Sequence, residues 1–215
     1  MTCIAALVEG DTVYIGGDSA GVAGLSISIR SDEKVFQNGP FIMGFTSSFR
    51  MGQLLRFKFD PPKQTVHQDD YEYMVTDFVD AVRHCFSHNG FGDKDATVGG
   101  TFLVGYKGKL YTIENDHQVG IPSVPYDAVG CGADLALGSL YSTQGSKLTP
   151  EQRIALALEA ASTFSAGVAP PFLIMKQEYK PEEKKKEETK PVKKSTVKNT
   201  KKTAAKKKTV SKTAR

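Results

Sequence analysis

The sequence predicts an α+β domain over residues 1–175, followed by a basic tail over residues 176–215. Short apolar runs bounded by turn residues indicate antiparallel hairpins in both halves of the domain. Segments with a helical spacing of apolar residues come in pairs, between groups of strands rather than alternating with single strands. This order of strands, two helices, strands, two helices and a final strand favours layered α+β packing over a parallel sheet.

The strands follow from short apolar runs and the turns between them. A Glu9-Gly10-Asp11 turn joins the first two runs, and Asn38-Gly39 joins the next two, which is a strong hairpin signal. Lys107-Gly108 joins a third pair. Residues 19–31 are rich in small residues and predict a loop with at most a short strand. The predicted strands lie at residues 2–8, 12–18, 33–36, 41–46, 101–106, 109–113, 126–131 and 172–175.

Helical spacing predicts four helices, at residues 49–59, 71–88, 133–141 and 150–164. Ser47-Ser48 can cap the first, and Asp60-Pro61-Pro62 ends it because proline cannot continue a helix. The last has Thr149 as its N-cap and Pro150 at its first helical position. The second presents an apolar stripe of Tyr71, Met74, Val75, Phe78, Val82 and Phe86. Residues 89–98, rich in Gly and Asp, predict a loop.

Charge divides the chain into two parts. Residues 1–175 contain 12 Lys and Arg against 19 Asp and Glu, a net charge of −7, whereas residues 176–215 contain 16 against 5, a net charge of +11. The first part is long enough for a sizeable core. The second has almost no large apolar residues, so we expect a disordered tail of low complexity. Such a tail either binds nucleic acid through its phosphates or serves as a solvated, solubilising segment.

Cysteine usage and hydropathy restrict the class of protein. The three cysteines, Cys3, Cys85 and Cys131, show no pattern of a disulfide framework. No run approaches the roughly 20 apolar residues of a membrane-spanning helix, and the amino terminus lacks the basic and apolar regions of a secretory signal. We therefore expect a protein of the reducing cytoplasm, without a membrane partner.

Thr2 heads the first predicted strand, directly after the initiator methionine. Because Thr2 is small, we expect an aminopeptidase to remove Met1 and leave a free threonine. A threonine hydroxyl paired with its own α-amine is a recognised combination of nucleophile and base. The amine has a pKa of about 7.7–8.0, so a useful fraction is neutral near pH 7.

Five short motifs follow one another at a characteristic spacing: Thr2, Gly17-Asp18, Lys34-Val35, Met43-Gly44-Phe45 and Gly130-Cys131-Gly132. Together they resemble the proteasome β-type N-terminal nucleophile (Ntn) hydrolases, and most of all the bacterial HslV-type peptidases. Asp18 lies sixteen positions after Thr2, and Lys34 lies sixteen positions after Asp18. The resemblance covers residues 2–175, and it implies a four-layer αββα sandwich with threonine-type endopeptidase activity.

The resemblance implies a role for each of these positions. Thr2 would attack a peptide carbonyl to form an acyl-enzyme, while its own amine moves the proton. Lys34 would lie beside the hydroxyl and lower its pKa, and Asp18 would hold Lys34 charged and in place. The Gly44 N–H would donate to the oxyanion. Cys131, which stands where the family usually has serine, would contact the amino terminus as a weaker donor than a hydroxyl.

Substrate contacts and partners are implied in the same way. Gly21 and Ile42 would contact the substrate, although Ile42 could equally be an ordinary core residue. Homo-oligomeric stacked rings would degrade unfolded proteins, which an ATP-driven AAA+ unfoldase delivers. ATP would act only through that partner, and no cofactor or metal is expected in the chain itself. Residues 162–167 lack the acid of proteasomal β subunits, an absence shared with HslV-type members.

Several alternatives stay open at the level of sequence. The chain could be an inactive ring subunit, an Ntn amidohydrolase that acts on small amides, or a nucleic-acid-associated protein that acts through its tail. Cys3 is a rival nucleophile only if processing also removes Thr2. His84 and His88 lie four residues apart with Cys85 between them and could form a metal pair, but no third ligand follows at a matching spacing.

Overall fold

The computed structural model describes residues 1–92 and 100–181, which belong to one compact unit, Met1–Pro181. The predicted loop at residues 89–98 lies partly outside these residues, as does most of the predicted tail. The strands are β1 (Cys3–Glu9), β2 (Thr12–Gly17), β3 (Ala20–Ala23), β4 (Ser26–Ile29), β5 (Val35–Asn38), β6 (Phe41–Phe45), β7 (Phe102–Tyr106), β8 (Lys109–Ile113), β9 (Val119–Gly120), β10 (Tyr126–Gly130) and β11 (Leu173–Glu178). The helices are α1 (Phe49–Phe57), α2 (Asp70–Tyr73), α3 (Val79–His88), α4 (Ala133–Ser142) and α5 (Pro150–Phe164), and a π-helical segment over Met74–Phe78 joins α2 to α3.

Two antiparallel sheets form the centre of the described structure. One has the strand order β10-β1-β2-β11, and the other has the order β5-β6-β7-β8-β9. β1 is an inner strand of the first sheet, where Cys3 pairs with Gly130 on one side and Ile4 pairs with Gly17 on the other. The residue just before β1, Thr2, is therefore held by strands on both sides.

Apolar side chains from both sheets form one buried cluster between them. Ile4 and Ile15 come from the first sheet, and Val35 and Ile42 come from the second. A Cβ at Gly44 would lie 2.5 Å from Ile4 Cγ2 and 2.9 Å from Ile15 Cγ2. The glycine therefore allows the two sheets to approach closely at this point.

The other face of each sheet packs against helices. Met43 of β6 belongs to a buried cluster with side chains of α1 and α3, and Ala5 of β1 belongs to a second cluster with side chains of α4 and α5. Along β6, residues 41, 43 and 45 face the helices while residues 42 and 44 face the opposite sheet, as the two-residue period of a strand requires. Within residues 1–92 and 100–181, none of the helices combines the length and hydropathy that a bilayer crossing requires.

The predicted hairpins are confirmed, because β1 pairs with β2, β5 with β6, and β7 with β8. The start of α5 is also confirmed, since Thr149 and Gln152 form a complete capping box and Pro150 is the first helical residue. Residues 19–31 contain more structure than predicted, because β3 and β4 pair as a two-stranded ribbon. All four residues of β4 are exposed, so burial contributes little to its pairing. β9 was not predicted.

Two further differences from the prediction concern the second predicted helix and the last strand. The helix expected at residues 71–88 contains the π-helical segment. This segment changes which side chains before it point toward the core. Tyr71 and Val75 of the predicted stripe are 46% and 38% exposed, whereas Tyr73 is fully buried. At the end of the domain, β11 continues to Glu178, three residues past the predicted boundary at residue 175, because it pairs with β2 over its whole length.

Candidate active site

Thr2 lies in a tightly enclosed position at the head of β1, with only 4% of its surface exposed. The Gly132 N–H donates to the Thr2 carbonyl oxygen over 3.4 Å. Gly130 has a φ of +102°, and a Cβ there would lie 2.2 Å from that same oxygen. Glycine is therefore required at residue 130 both for its backbone conformation and for the close approach of Thr2.

Lys34 and Asp18 meet the Thr2 hydroxyl in the interior. Lys34 Nζ donates to Thr2 Oγ1 at 2.9 Å, to Asp18 Oδ1 at 2.8 Å and to the Ala20 carbonyl at 2.6 Å. An ammonium has three donors, and all three are used here, so the position of the charge is fixed. Lys34 is 3% exposed and Asp18 is 2% exposed, which makes this a buried ion pair.

Asp18 connects three segments of backbone. Its carboxylate accepts from the Cys3 N–H at 3.0 Å, from the Ala20 N–H at 2.9 Å and from the Ala169 N–H at 3.3 Å. The first segment begins β1, the second begins the β3-β4 ribbon, and the third precedes β11. Asp18 thus ties the ribbon and the carboxyl-terminal segment to the strand that carries Thr2.

Burial decides the electrostatics of Lys34. Removal from water lowers the pKa of the Lys34 ammonium below its ordinary value, although the adjacent Asp18 carboxylate acts in the opposite direction. A buried cation this close to a hydroxyl favours the deprotonated form of that hydroxyl. The three residues can therefore lower the cost of forming an alkoxide on Thr2.

Cys131 contacts the backbone of Thr2 from the other side. The Thr2 N–H donates to Cys131 Sγ at 3.3 Å, and Cys131 Sγ lies 3.5 Å from the Thr2 carbonyl oxygen. The Ser165 hydroxyl donates to the same sulfur at 3.5 Å. The sequence led us to expect a thiol donor, but toward the Thr2 nitrogen the sulfur is the acceptor.

A small cavity of about 60 Å³ opens beside Thr2. Its walls are formed by Met1, Thr2, Val22, Phe45, Thr46, Ser47, Ser48 and Phe49. The rings of Phe45 and Phe49 pack edge to face at 5.8 Å, and the Arg30 guanidinium lies 3.8 Å from the centre of the Phe49 ring. Arg30 follows the β3-β4 ribbon, so this cation–π contact joins the ribbon to the first turn of α1.

The structure contradicts the expected oxyanion role of Gly44. The Phe45 N–H donates to the Lys34 carbonyl on one side of β6, and the Thr46 N–H donates to the Thr101 carbonyl on the other. Because backbone groups alternate along a strand, the Gly44 N–H points into the ladder with β7, where Gly44 pairs with Leu103. It is therefore not directed at Thr2.

The two expected substrate contacts are also not at the cavity. Ile42 is fully buried between the sheets. The prediction that it contacts the substrate is therefore wrong, and the alternative prediction of an ordinary core residue is correct. Gly21 pairs with Ser28 inside the ribbon, and the next residue, Val22, is the one that lines the cavity. Sequence reasoning assigned Ser47 and Ser48 to a helix cap, and Ser48 does cap α1, but both also line the cavity. Their position directly after β6 was the feature of the sequence that could have indicated a place at the cavity.

The remaining candidates do not form sites. Cys3 is fully buried, and burial raises the pKa of its thiol to about 12, so it is a poor nucleophile. The rings of His84 and His88 lie 3.8 Å apart between centroids. Among the described residues, however, no group of three or more His, Cys, Asp or Glu side chains comes together to hold a metal ion.

Neither a protein-family model nor a curated protein matches the sequence. Solved structures do match. BPH from Thiobacillus denitrificans has a TM-score of 0.69 and 17% identity, over 84% of this chain and 100% of that one. HslV from Trypanosoma brucei has a TM-score of 0.62 and 16% identity, over 83% and 100%. The fold is that of the proteasome-type Ntn hydrolases.

A third Ntn hydrolase structure, a Gly-1 mutant of Anbu from Hyphomicrobium, has a TM-score of 0.61 and 16% identity, over 83% of this chain and 82% of that one. BPH is also known in complex with epoxomicin. The resemblance inferred from the five motifs is thus confirmed at the level of the Ntn hydrolase fold.

Proposed function

We propose that the chain is an N-terminal threonine peptidase that hydrolyses peptide bonds through an acyl-enzyme on Thr2. One observation carries the proposal: the Thr2 hydroxyl accepts a hydrogen bond from Lys34 Nζ at 2.9 Å, and the same ammonium bonds to the buried Asp18. A hydroxyl beside a buried cation, at the opening of a cavity, is a suitable arrangement for an activated nucleophile.

The first step is removal of Met1. Met1 is 55% exposed and the residue after it is the small Thr2, so we expect an aminopeptidase to remove Met1. Removal converts the Thr2 amide into an α-amine with a pKa of about 7.7–8.0. While Met1 remains, that nitrogen is an amide and cannot accept a proton, so the unprocessed chain lacks the base.

In the mature chain, the amine takes the hydroxyl proton as the Thr2 oxygen attacks the substrate carbonyl carbon. Lys34 stabilises the negative charge that develops on that oxygen. The C–N bond of the tetrahedral intermediate then breaks, the amine gives its proton to the leaving nitrogen, and the acyl group stays on Thr2 as an ester. Water hydrolyses this ester with the same amine as base.

The oxyanion needs donors within about 2.7–3.1 Å. The Gly44 N–H is committed to the ladder, and the Thr46 and Ser48 N–H groups donate to backbone carbonyls. We therefore assign this role to the N–H groups of Ser47 and Phe49, which line the cavity at the N-terminus of α1. Backbone N–H groups at the start of a helix lack partners within the helix, and the helix dipole favours negative charge there.

The proposal includes architecture and assembly. One apolar cluster between the sheets and one between each sheet and its helices support a four-layer αββα sandwich. Similarity to BPH and HslV supports homo-oligomeric stacked rings in the cytoplasm that cleave unfolded proteins. ATP would be used only by a partner AAA+ unfoldase, and the chain itself would need no cofactor or metal.

Substitution of Thr2 tests the activity. In protein that lacks Met1, Thr2→Ala should reduce hydrolysis of unfolded casein to background, whereas Thr2→Ser keeps a hydroxyl and should retain part of the rate. Equal hydrolysis by Thr2→Ala would contradict the proposal. An assembled wild type that cleaves nothing would favour an inactive ring subunit, and cleavage of small amides alone would favour an amidohydrolase.

A second candidate function rests on the composition of the tail. Residues 191–215 contain ten Lys and Arg and no Asp or Glu. Such a run binds phosphates through counterion release, so its affinity for DNA should fall steeply with salt. The full chain should bind duplex DNA at low salt, and a chain ending at residue 181 should not, while peptidase activity stays unchanged. Equal DNA binding by the two chains would exclude the tail as the binding segment.

A further inference from the structure

Three polar residues lie in a row just past the ends of three neighbouring strands. Thr46 follows the last residue of β6, Thr101 precedes the first residue of β7, and Glu114 follows the last residue of β8. Because β6, β7 and β8 pair antiparallel in this order, the three residues lie side by side at one end of the sheet. Thr46 also lines the cavity beside Thr2, so the row leads away from the candidate site.

Hydrogen bonds join the members of this row. The Thr46 N–H and the Thr46 hydroxyl both donate to the Thr101 carbonyl, over 3.0 Å and 2.9 Å. A carbonyl oxygen has two lone pairs, so Thr46 uses both. The Thr101 hydroxyl in turn donates to Glu114 Oε2 at 3.1 Å. Thr101 is thus held by Thr46 on one side and by the Glu114 carboxylate on the other.

The turn next to this row has a strained backbone. Ser47 has a φ of +68°, in the left-handed region that residues other than glycine rarely adopt. Such a conformation persists only where its surroundings hold it. Ser47 Oγ lies 3.0 Å from Thr46 Oγ1, and a Cβ on Gly100 would lie 3.0 Å from Ser47 Cβ. Thr46 and the backbone just before β7 therefore help to fix the direction of the Ser47 N–H.

Glu114 belongs to a tight turn that is itself anchored in the core. The Glu114 N–H donates to the Gln118 carbonyl at 3.0 Å, and the His117 N–H donates to the Glu114 carbonyl at 2.9 Å. The His117 side chain is buried, and its ring centroid lies 6.2 Å from that of Phe86 in α3. These contacts fix the backbone that carries the Glu114 carboxylate.

We propose that Glu114 is a positioning residue for the oxyanion donors: acting through Thr101 and Thr46, it keeps the Ser47 N–H directed at the tetrahedral intermediate. This inference rests on the proposed function, in which Ser47 and Phe49 supply those donors. Glu114 itself touches neither the substrate nor the reacting atoms. Because a misplacement of about 1 Å can cost about 100-fold in rate, loss of one bond in the row should cost about tenfold.

The experiment uses the full chain without Met1, and it compares kcat and KM for one peptide substrate. Glu114→Ala should lower kcat about tenfold and leave KM unchanged, because donors to the oxyanion act in the transition state rather than in the bound substrate. Glu114→Gln keeps an acceptor oxygen and should retain most of the rate. The control is Asn115→Ala, which changes an exposed residue of the same turn and should behave like the wild type.

Thr101→Val tests the same row from its other member. This variant removes the hydroxyl that donates to Glu114 and keeps the backbone carbonyl that accepts from Thr46, so kcat should again fall about tenfold. The double variant of Glu114→Ala and Thr101→Val should lose no more than either single variant, because both remove the same bond. If Glu114→Ala fails to fold, Thr101→Val alone decides the outcome.

Inhibition by a peptide aldehyde separates positioning from a general structural role. The Thr2 oxygen bonds to the aldehyde carbon, the C=O double bond becomes a single bond, and the hydroxyl proton moves to the aldehyde oxygen. That oxygen then occupies the oxyanion position, so Ki for the aldehyde should rise about tenfold in Glu114→Ala while KM for the substrate stays constant. A higher KM with an unchanged kcat would overturn the inference, as would a loss in Glu114→Gln equal to that in Glu114→Ala.

The failure of this inference can be told apart from the failure of the proposed function. If the wild type neither hydrolyses peptide nor reacts at Thr2 with an epoxyketone, the proposed function fails. If the wild type does both, and Glu114→Ala and Thr101→Val keep its kcat, only the role of Glu114 fails.

Discussion

The two sides of the candidate site are built differently. On the nucleophile side, Thr2, Asp18 and Lys34 are each at most 4% exposed and are held by several hydrogen bonds. On the substrate side, the cavity walls come from Val22 of the ribbon, from residues 45–48 and from Phe49 in the first turn of α1, and Arg30 stacks on Phe49. The first side fixes the reacting atoms. The second side is bonded to it at Ala20, the first residue of the ribbon, and is more exposed in the rest of the ribbon.

The largest effect should come from breaking the ion pair on the nucleophile side. Lys34→Ala leaves the Asp18 carboxylate buried without its cation, which should cost about 3–5 kcal/mol in the free energy of unfolding and reduce hydrolysis to background. Denaturant unfolding measures the first and peptide cleavage the second. Lys107→Ala is the control, because Lys107 pairs with Asp70 near the surface and should cost about 1 kcal/mol or less. Equal losses of unfolding free energy in the two variants would show that burial does not make the Lys34–Asp18 pair more important for stability than the Lys107–Asp70 pair.

A steric change at Gly130 should have the next largest effect. A Cβ there would collide with the Thr2 carbonyl oxygen, so Gly130→Ala should lose activity and stability together. Gly145→Ala is the matched control, since Gly145 also has a positive φ but has nothing within 4 Å of the added Cβ. We expect Gly130→Ala to lower the free energy of unfolding by about 1–3 kcal/mol more than Gly145→Ala, as overpacking typically does. Chemical denaturation of both variants measures this difference in unfolding free energy. Equal unfolding free energies would mean that the Thr2 backbone can move away from the added Cβ at no cost.

A change on the substrate side should affect selectivity more than stability. Phe49→Ala removes a wall of the 60 Å³ cavity, so kcat/KM for peptides with a bulky residue at the cleaved bond should rise about tenfold relative to peptides with a small one. A peptide panel measures the ratio. Phe57→Ala on the same helix is the control, because Phe57 is 71% exposed and does not line the cavity. An equal change of the bulky-to-small ratio of kcat/KM in both variants would contradict the role of Phe49 as a wall of the substrate cavity.

The smallest effect concerns alkaline pH. The pKa of the Cys3 thiol is raised by burial from 9.0 to about 12. Above pH 9 the unfolded chain releases this proton while the folded chain keeps it, so the folded state loses stability as pH rises from 9 toward 12. Relative to Cys3→Ala, the wild type should lose about 1.4 kcal/mol of unfolding free energy between pH 8 and pH 10. Parallel pH curves for the two proteins would exclude this contribution.

The same division separates what could be predicted from what could not. The family resemblance carried by Thr2, Asp18 and Lys34 implied the nucleophile side, and the structure brings these three side chains within hydrogen-bond distance. Hairpin signals such as Asn38-Gly39 identified the strands around them. The hairpin signals are local in sequence, whereas the meeting of Thr2, Asp18 and Lys34 was implied by the resemblance to a known family.

The substrate side depends on tertiary packing. Whether Ile42 faces the cavity or the opposite sheet is decided by strand alternation relative to a second sheet, and the sequence does not give that orientation. The direction of the Gly44 N–H depends on which strand lies beside β6 on each side. The contact of Arg30 with Phe49 crosses from the ribbon to α1, and neither residue belongs to a recognisable motif.

The most direct test of the peptidase proposal is the intact mass of the purified protein before and after treatment with a threonine-directed epoxyketone. We predict a mass that lacks Met1, followed by one adduct that peptide mapping locates at Thr2, and no adduct on Thr2→Ala. Retention of Met1 in protein made by its native host would contradict the mechanism, because the Thr2 nitrogen would remain an amide without a base. An adduct at any residue other than Thr2 would contradict it equally.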